Sequence, residues 1–155
     1  GGFQSNYAVD EDIKSYWSAK TGQAGEWFQT DLGEISTINA IQINYADQDV
    51  EFLGKTNDEF HQYKIYYSND GNKWKSLVDK SANTTDVPHD YIELEKPIKA
   101  RFLKMENLKI PTGKFALSGF RVFGKGTGNQ PKPVENFIVL RADPKQYGGN
   151  NNCNP

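Results

Sequence analysis

Apolar residues recur at every second position of this chain, in segments too short and too evenly spaced for helices. In INAIQINYA, Ile41, Ile43 and Tyr45 share one face while Gln42 and Asn44 take the other. In YKIYYS, Tyr63, Ile65 and Tyr67 alternate with Lys64 and Tyr66. DYIELEKP sets Ile92 and Leu94 against Glu93 and Glu95, and ARFLKMENL and FALSGFRVFG supply two further segments. Side chains of a strand point alternately to opposite faces, so each segment has one face to bury and one to show. No window keeps a helical period beyond a turn or two. An all-β antiparallel sandwich or barrel is implied.

Turn chemistry punctuates these segments. SNDGNKW sets Asp70-Gly71 ahead of Trp74, a hairpin signal because glycine takes positive φ without a Cβ clash. Ser118-Gly119 interrupts the alternation of the last segment, where a bulge is expected. Residues 1–124 therefore read as one domain, and 125–133, rich in Gly and Pro, as a linker. VENFIVLRADP then offers one strand, Phe137 to Leu140. One strand cannot bury its own face, so 134–155 reads as the truncated start of a following domain.

Composition removes several function classes. Eighteen basic against twenty acidic side chains leave a net charge of -2, too balanced for nucleic acid or an anionic membrane as the main partner. No apolar run approaches the roughly 20 residues that span a bilayer. Cys153 is the sole cysteine, so neither an internal disulfide nor a Cys/His zinc site can form. Glycoside hydrolysis needs two carboxyls facing each other about 5–9.5 Å apart. Here the acids fall in turns and on the outer faces of strands. No Gly-x-Ser-x-Gly elbow and no phosphate-cradling glycine loop is present. The chain is not expected to be an enzyme.

Five segments occur in one order: YAVDEDIKSYWSA, EWFQTDLGEISTINAIQI, YKIYYSNDGNKWKSL, KARFLKMENL and LSGFRVFG. Together they resemble the discoidin family, the coagulation-factor type C domains, whose bacterial members include family-32 carbohydrate-binding modules. The resemblance spans about Ser5 to Gly124. It implies a jelly-roll β-sandwich of the galactose-binding-domain type, with loops gathered at one end. DEDIKSYWSAKTGQAGEWFQTDLG and VPHDYIELEKP are also similar to the accessory domain of family-43-type glycoside hydrolases of Bacteroidetes. That likeness implies an extracellular or periplasmic location, a catalytic domain in the same polypeptide, and a fibronectin-type-III-like domain to follow. In the family pattern Trp27, Phe28 and Leu32 pack inside, and Asp31 and Gly33 shape the next turn. Trp17 is left between core and ligand, and Trp74 is assigned to the core.

The resemblance also implies a structural calcium ion. Asp10, Asp12 and Ser15 match three of its ligands, but Gly119 stands where the family often has a glutamate. The alternative is a solvated acidic turn with Asp10 capping backbone N–H groups. Glycan recognition needs an aromatic face for the pyranose ring and planar polar groups for its hydroxyls. Three loops can present them. The long connection Ala46 to Gln62 offers Asp47, Gln48, Phe52, Phe60 and His61. TTDVPHDY offers His89, Asp90 and Tyr91, and LKIPTGKF offers Phe115. Each has a plain structural alternative, the phenylalanines as staples and the histidines as hydrogen-bonded scaffold. Two further readings stand beside glycan binding: a module that packs on the catalytic domain without binding sugar, and adhesion to a protein or lipid surface. Glu51, Asp58 and Glu59 around Phe52 and Leu53 oppose an anionic bilayer.

Overall fold

Two long strands organise the structure. In the computed structural model, which describes residues 17–46, 60–125 and 132–133, β2 runs over Trp27–Tyr45 and β5 over His89–Lys109. The shorter strands are β1 (Trp17–Ser18), β3 (Gln62–Ser68), β4 (Lys75–Asp79), β6 (Ala116–Lys125) and β7 (Lys132–Pro133). All pairs are antiparallel, in the order β1-β6-β2-β5-β3-β4, and β7 pairs with β2 off that path. No helix occurs among the described residues, and none could cross a membrane.

The sheet is continuous in its hydrogen bonds, yet it forms two layers. Phe28 and Ile43 are 15 residues apart on β2, about 50 Å of extended chain. Ile43 pairs with Phe120 of β6, whose ring centroid lies only 5.5 Å from that of Phe28. β2 must therefore fold over. It does so where the four residues Leu32 to Ile35 lie opposite Arg101 alone, and again where Asn39 lies opposite Leu94 to Pro97. The far half of β2 pairs with β6 and the start of β5, and the near half with the end of β5, which also holds β3. This is the jelly-roll β-sandwich expected.

At the first corner Asp31 does two jobs. Its Oδ1 accepts the Gly33 N–H at 2.8 Å, where Gly33 has φ of 84°. Arg101 clamps the same carboxylate with two bonds, Nε to Oδ1 at 2.8 Å and Nη2 to Oδ2 at 2.9 Å. The expected role of Asp31 and Gly33 in the turn holds. Asp70-Gly71 likewise closes the β3–β4 hairpin, with Asp70 Oδ1 accepting the N–H groups of Asn72 and Lys73, each at 2.8 Å.

Rings from both layers meet in the core. Trp17 is fully buried, 5.2 Å from Phe28 and 5.2 Å from Phe115, which it meets edge-on. That settles Trp17 as core. Phe28 and Leu32 are buried as expected, but Trp27 is only half-buried, because adjacent strand residues cannot both point inward. Trp74 is also half-buried, outside the core to which the sequence assigned it. The connection between Trp17 and Trp27 is pinned from beneath: buried Asn107 donates through Nδ2 to the carbonyls of Gly22 and Gln23, both at 3.0 Å. Lys132–Pro133, within the stretch read as linker, lies along Thr30 and Asp31 of β2. Residues 134–155 are outside the described residues.

Two outcomes follow from this packing. Leu103→Ala, at a fully buried site between the layers, lowers unfolding stability by about 2–5 kcal/mol in a urea titration. The hairpin N–H groups hold the Asp70 carboxyl down from 3.8 to about 2. Its ionised form is therefore favoured on folding, so its contribution is complete above pH 3.8 and is lost as pH falls toward 2. Melting curves of Asp70→Asn between those limits fall less steeply than those of the wild type.

Candidate functional site at the loop end

The end of β2 is tied on both sides. Tyr45 N–H donates to the Pro88 carbonyl and Ala46 N–H to the Ala116 carbonyl, both at 2.9 Å. On β6 the register slips by one residue at Ser118, the bulge expected there, and the Ser118 hydroxyl donates back to the Asn44 carbonyl at 3.4 Å. The start of β3 is drawn to the same place by the β4–β5 loop. Lys80 N–H donates to the Tyr63 carbonyl at 2.9 Å, and Asn83 Nδ2 to the His61 carbonyl at 2.8 Å. Four elements thus converge on Tyr45, His61, Tyr63 and Asp90.

At the rim these groups form a half-buried polar cluster. The rings of Tyr45 and His61 stack with centroids 4.0 Å apart and an interplanar angle of 30°. Tyr63 donates its hydroxyl to Asp90 Oδ2 at 2.5 Å. Burial first, then the Asp90 carboxylate, pushes both tyrosine hydroxyls far above their ordinary range, so both stay protonated. The Tyr45 hydroxyl is buried without a hydrogen-bond partner among the described residues. His61 Nδ1 lies 4.0 Å from Asp86 Oδ1. His89, next to Asp90 on β5 and so turned to the other face, is exposed, with Nδ1 3.0 Å from Asn44 Oδ1.

Of the residues proposed from sequence, the structure therefore brings His61 and Asp90 together at the end of β2, with His89 next to them on the outer face against Asn44. Phe60 lies beside them with the Lys109 ammonium 3.8 Å from its ring centroid. Two do not join. Phe115 is fully buried against Trp17 and Tyr45, so it is a core ring and offers no face to a ligand. Tyr91 is turned to the outer face by strand alternation, 58% exposed and 6.0 Å from Phe123. Asp47, Gln48 and Phe52 lie outside the described residues, as do Asp10, Asp12 and Ser15. Tyr45 and Tyr63 were read only as inward rings. The signal that marks them is that buried tyrosine, unlike phenylalanine, brings a hydroxyl that needs a partner.

Gly119, where the family often has a glutamate, lies opposite Asn44 on β2. A Cβ there would lie 2.7 Å from Asn44 Nδ2, so a carboxylate side chain has no room unless Asn44 moves. Among the described residues no group of three or more His, Cys, Asp or Glu side chains could hold a metal ion. The fourth ligand that the resemblance implies is therefore not supplied from β6.

The two tyrosines should respond differently to loss of the hydroxyl. Tyr63→Phe strips Asp90 of its donor and costs about 1–3 kcal/mol. Tyr45→Phe removes an unpartnered group and costs less than about 1 kcal/mol. Urea titrations of the two variants check this.

The sequence profile of the F5/8 type C domain matches residues 1–119. Bovine lactadherin is 26% identical over 98 residues, which cover 58% of this chain and 22% of lactadherin. This chain thus spans about a fifth of that relative's length. Among solved structures, CBM32-1 from a family 31 glycoside hydrolase of Clostridium perfringens has a TM-score of 0.63 at 21% identity, covering 79% of this chain and 86% of that one. A chitosan-binding module derived from a chitosanase/glucanase of Paenibacillus sp. IK-5 has a TM-score of 0.59 at 22% identity, covering 80% and 86%. These two likenesses carry the fold, and the profile, running through most of the sandwich, carries the kinship: the chain belongs to the F5/8 type C domain family.

Proposed function

We propose that this domain is a non-catalytic carbohydrate-binding module that holds a secreted glycoside hydrolase on its glycan. The observation that carries the reading is the loop end, where half-buried Asp90, held by the Tyr63 hydroxyl, joins the stacked Tyr45–His61 pair and exposed His89 stands beside it on the outer edge. Planar groups fixed from below can meet sugar hydroxyls at low entropic cost. That solved neighbours of the same fold are named as carbohydrate-binding modules adds weight. Asp47, Gln48, Phe52 and Phe60 would complete the rim from the connection after β2. The site binds and does not cleave, since its described carboxylates are engaged in scaffolding, Asp90 by Tyr63. Calcium, if held by Asp10, Asp12 and Ser15, lacks the β6 carboxylate and binds weakly, with Kd in the range of about 10⁻⁴–10⁻³ M.

A single sugar site of this kind works at micromolar to millimolar Kd, about -8 to -4 kcal/mol. Tethering makes that useful, because the catalytic domain then samples substrate at high local concentration. A second reading, a module that packs on the catalytic domain without binding sugar, draws on the exposed outer-face pair Tyr91 and Phe123.

The test is a plant and host glycan array followed by calorimetry, with and without EDTA. At least one oligosaccharide binds, His89→Ala weakens it tenfold or more, and EDTA changes the affinity by less than twofold. Silence across both glycan sets removes the proposal in favour of the packing module.

A further inference from the structure

A second cluster lies on the outer face of the layer made by the near half of β2, the end of β5, β3 and β4. Lys104 stands between Gln29 of β2 and Tyr66 of β3 in the ladder. Leu103 and Met105 on either side of it are fully buried, so Lys104 points outward. Its ammonium lies 4.5 Å from the ring centroid of Trp74, 5.6 Å from that of Tyr66 and 5.8 Å from that of Trp27. Three rings from three parts of the chain frame one charge.

The neighbouring charges are already satisfied. Lys64 Nζ is 3.3 Å from Asp79, Arg101 is clamped to Asp31, and Glu106 accepts the Tyr66 hydroxyl at 3.0 Å. Lys104 forms no ion pair among the described residues. Rings attract a cation but do not neutralise it. Lys104 therefore keeps an unpaired cation among half-buried rings, within a patch that is neutral overall, Lys64, Arg101 and Lys104 standing against Asp79, Asp31 and Glu106. Such balance disfavours a densely charged polymer such as nucleic acid. It suits one carboxylate joined to a ring with an apolar face.

We infer that this face binds a uronic acid residue of a glycan. The carboxylate of a uronate is joined directly to a ring carbon. When it meets the Lys104 ammonium, the C–H face of its pyranose lies against the adjacent Trp27 or Trp74. A charge-assisted hydrogen bond of this type is roughly twice as strong as a neutral one. The surface is separate from the loop end, and the inference stands without the reading made there.

The whole chain, labelled with ¹⁵N, is titrated with cellobiouronic acid, cellobiose and cellobiose 6′-sulfate, and the indole N–H signals of Trp27 and Trp74 are followed. Cellobiouronic acid binds in the millimolar range and moves both signals. Cellobiose, which differs by the carboxylate alone, binds at least fivefold more weakly, and this arm needs no variant. Lys104→Met, which keeps the apolar stem, and Trp74→Ala each weaken the acid at least tenfold, whereas Lys99→Met, at an exposed lysine elsewhere on β5, leaves it unchanged. Equal affinity for cellobiose, tighter binding of the sulfate, wild-type affinity in Lys104→Met, loss in Lys99→Met or no binding at all would each overturn the inference.

Discussion

Everything in this domain depends on β2 and β5 turning a corner together. Neither strand could serve both layers if it stayed straight, because its length exceeds the width of any core this chain can fill. The corner demands extra residues on one strand opposite few on the other, and the local twist of a bulge supplies the change of direction. Asp31 fixes that change by holding its own turn and receiving the Arg101 fork. An Arg–carboxylate pair with two parallel bonds is directional as well as attractive. Its value here lies in geometry: it brings Phe28 onto Phe120, and so closes one layer over the other.

Closing the layers creates the loop end. The far end of β2 and the starts of β3, β5 and β6 are distant in sequence, yet backbone bonds at Pro88, Ala116 and Tyr63 bind them into one rim. Buried hydroxyls then have to be satisfied within that rim. Asp90 answers for Tyr63, and in doing so is fixed in direction. A rim made rigid in this way spends little conformational freedom when it meets a ligand, which is what a weak, tethered binding module requires. The outer face around Lys104 is a different kind of surface, three half-buried rings about one lysine that its neighbours leave without an ion pair among the described residues.

The sequence by itself determined the strands, the Asp70-Gly71 hairpin, the bulge at Ser118 and the two-layer architecture. These follow from period-two alternation and turn chemistry, which are local, and from the order of five segments, which marks the family. Tertiary structure alone decided the rest. Whether Trp17, Trp27 or Trp74 goes inside depends on which neighbours cover it. Phe115 belongs to the core rather than the rim because Trp17 packs against its ring from another strand. Tyr63 meets Asp90 only because one layer closes over the other, and Lys104 meets Trp27 and Trp74 only because antiparallel pairing brings remote residues side by side. Alternation tells a side chain which face to take, but the partner on that face is fixed by register and by the fold of the sheet.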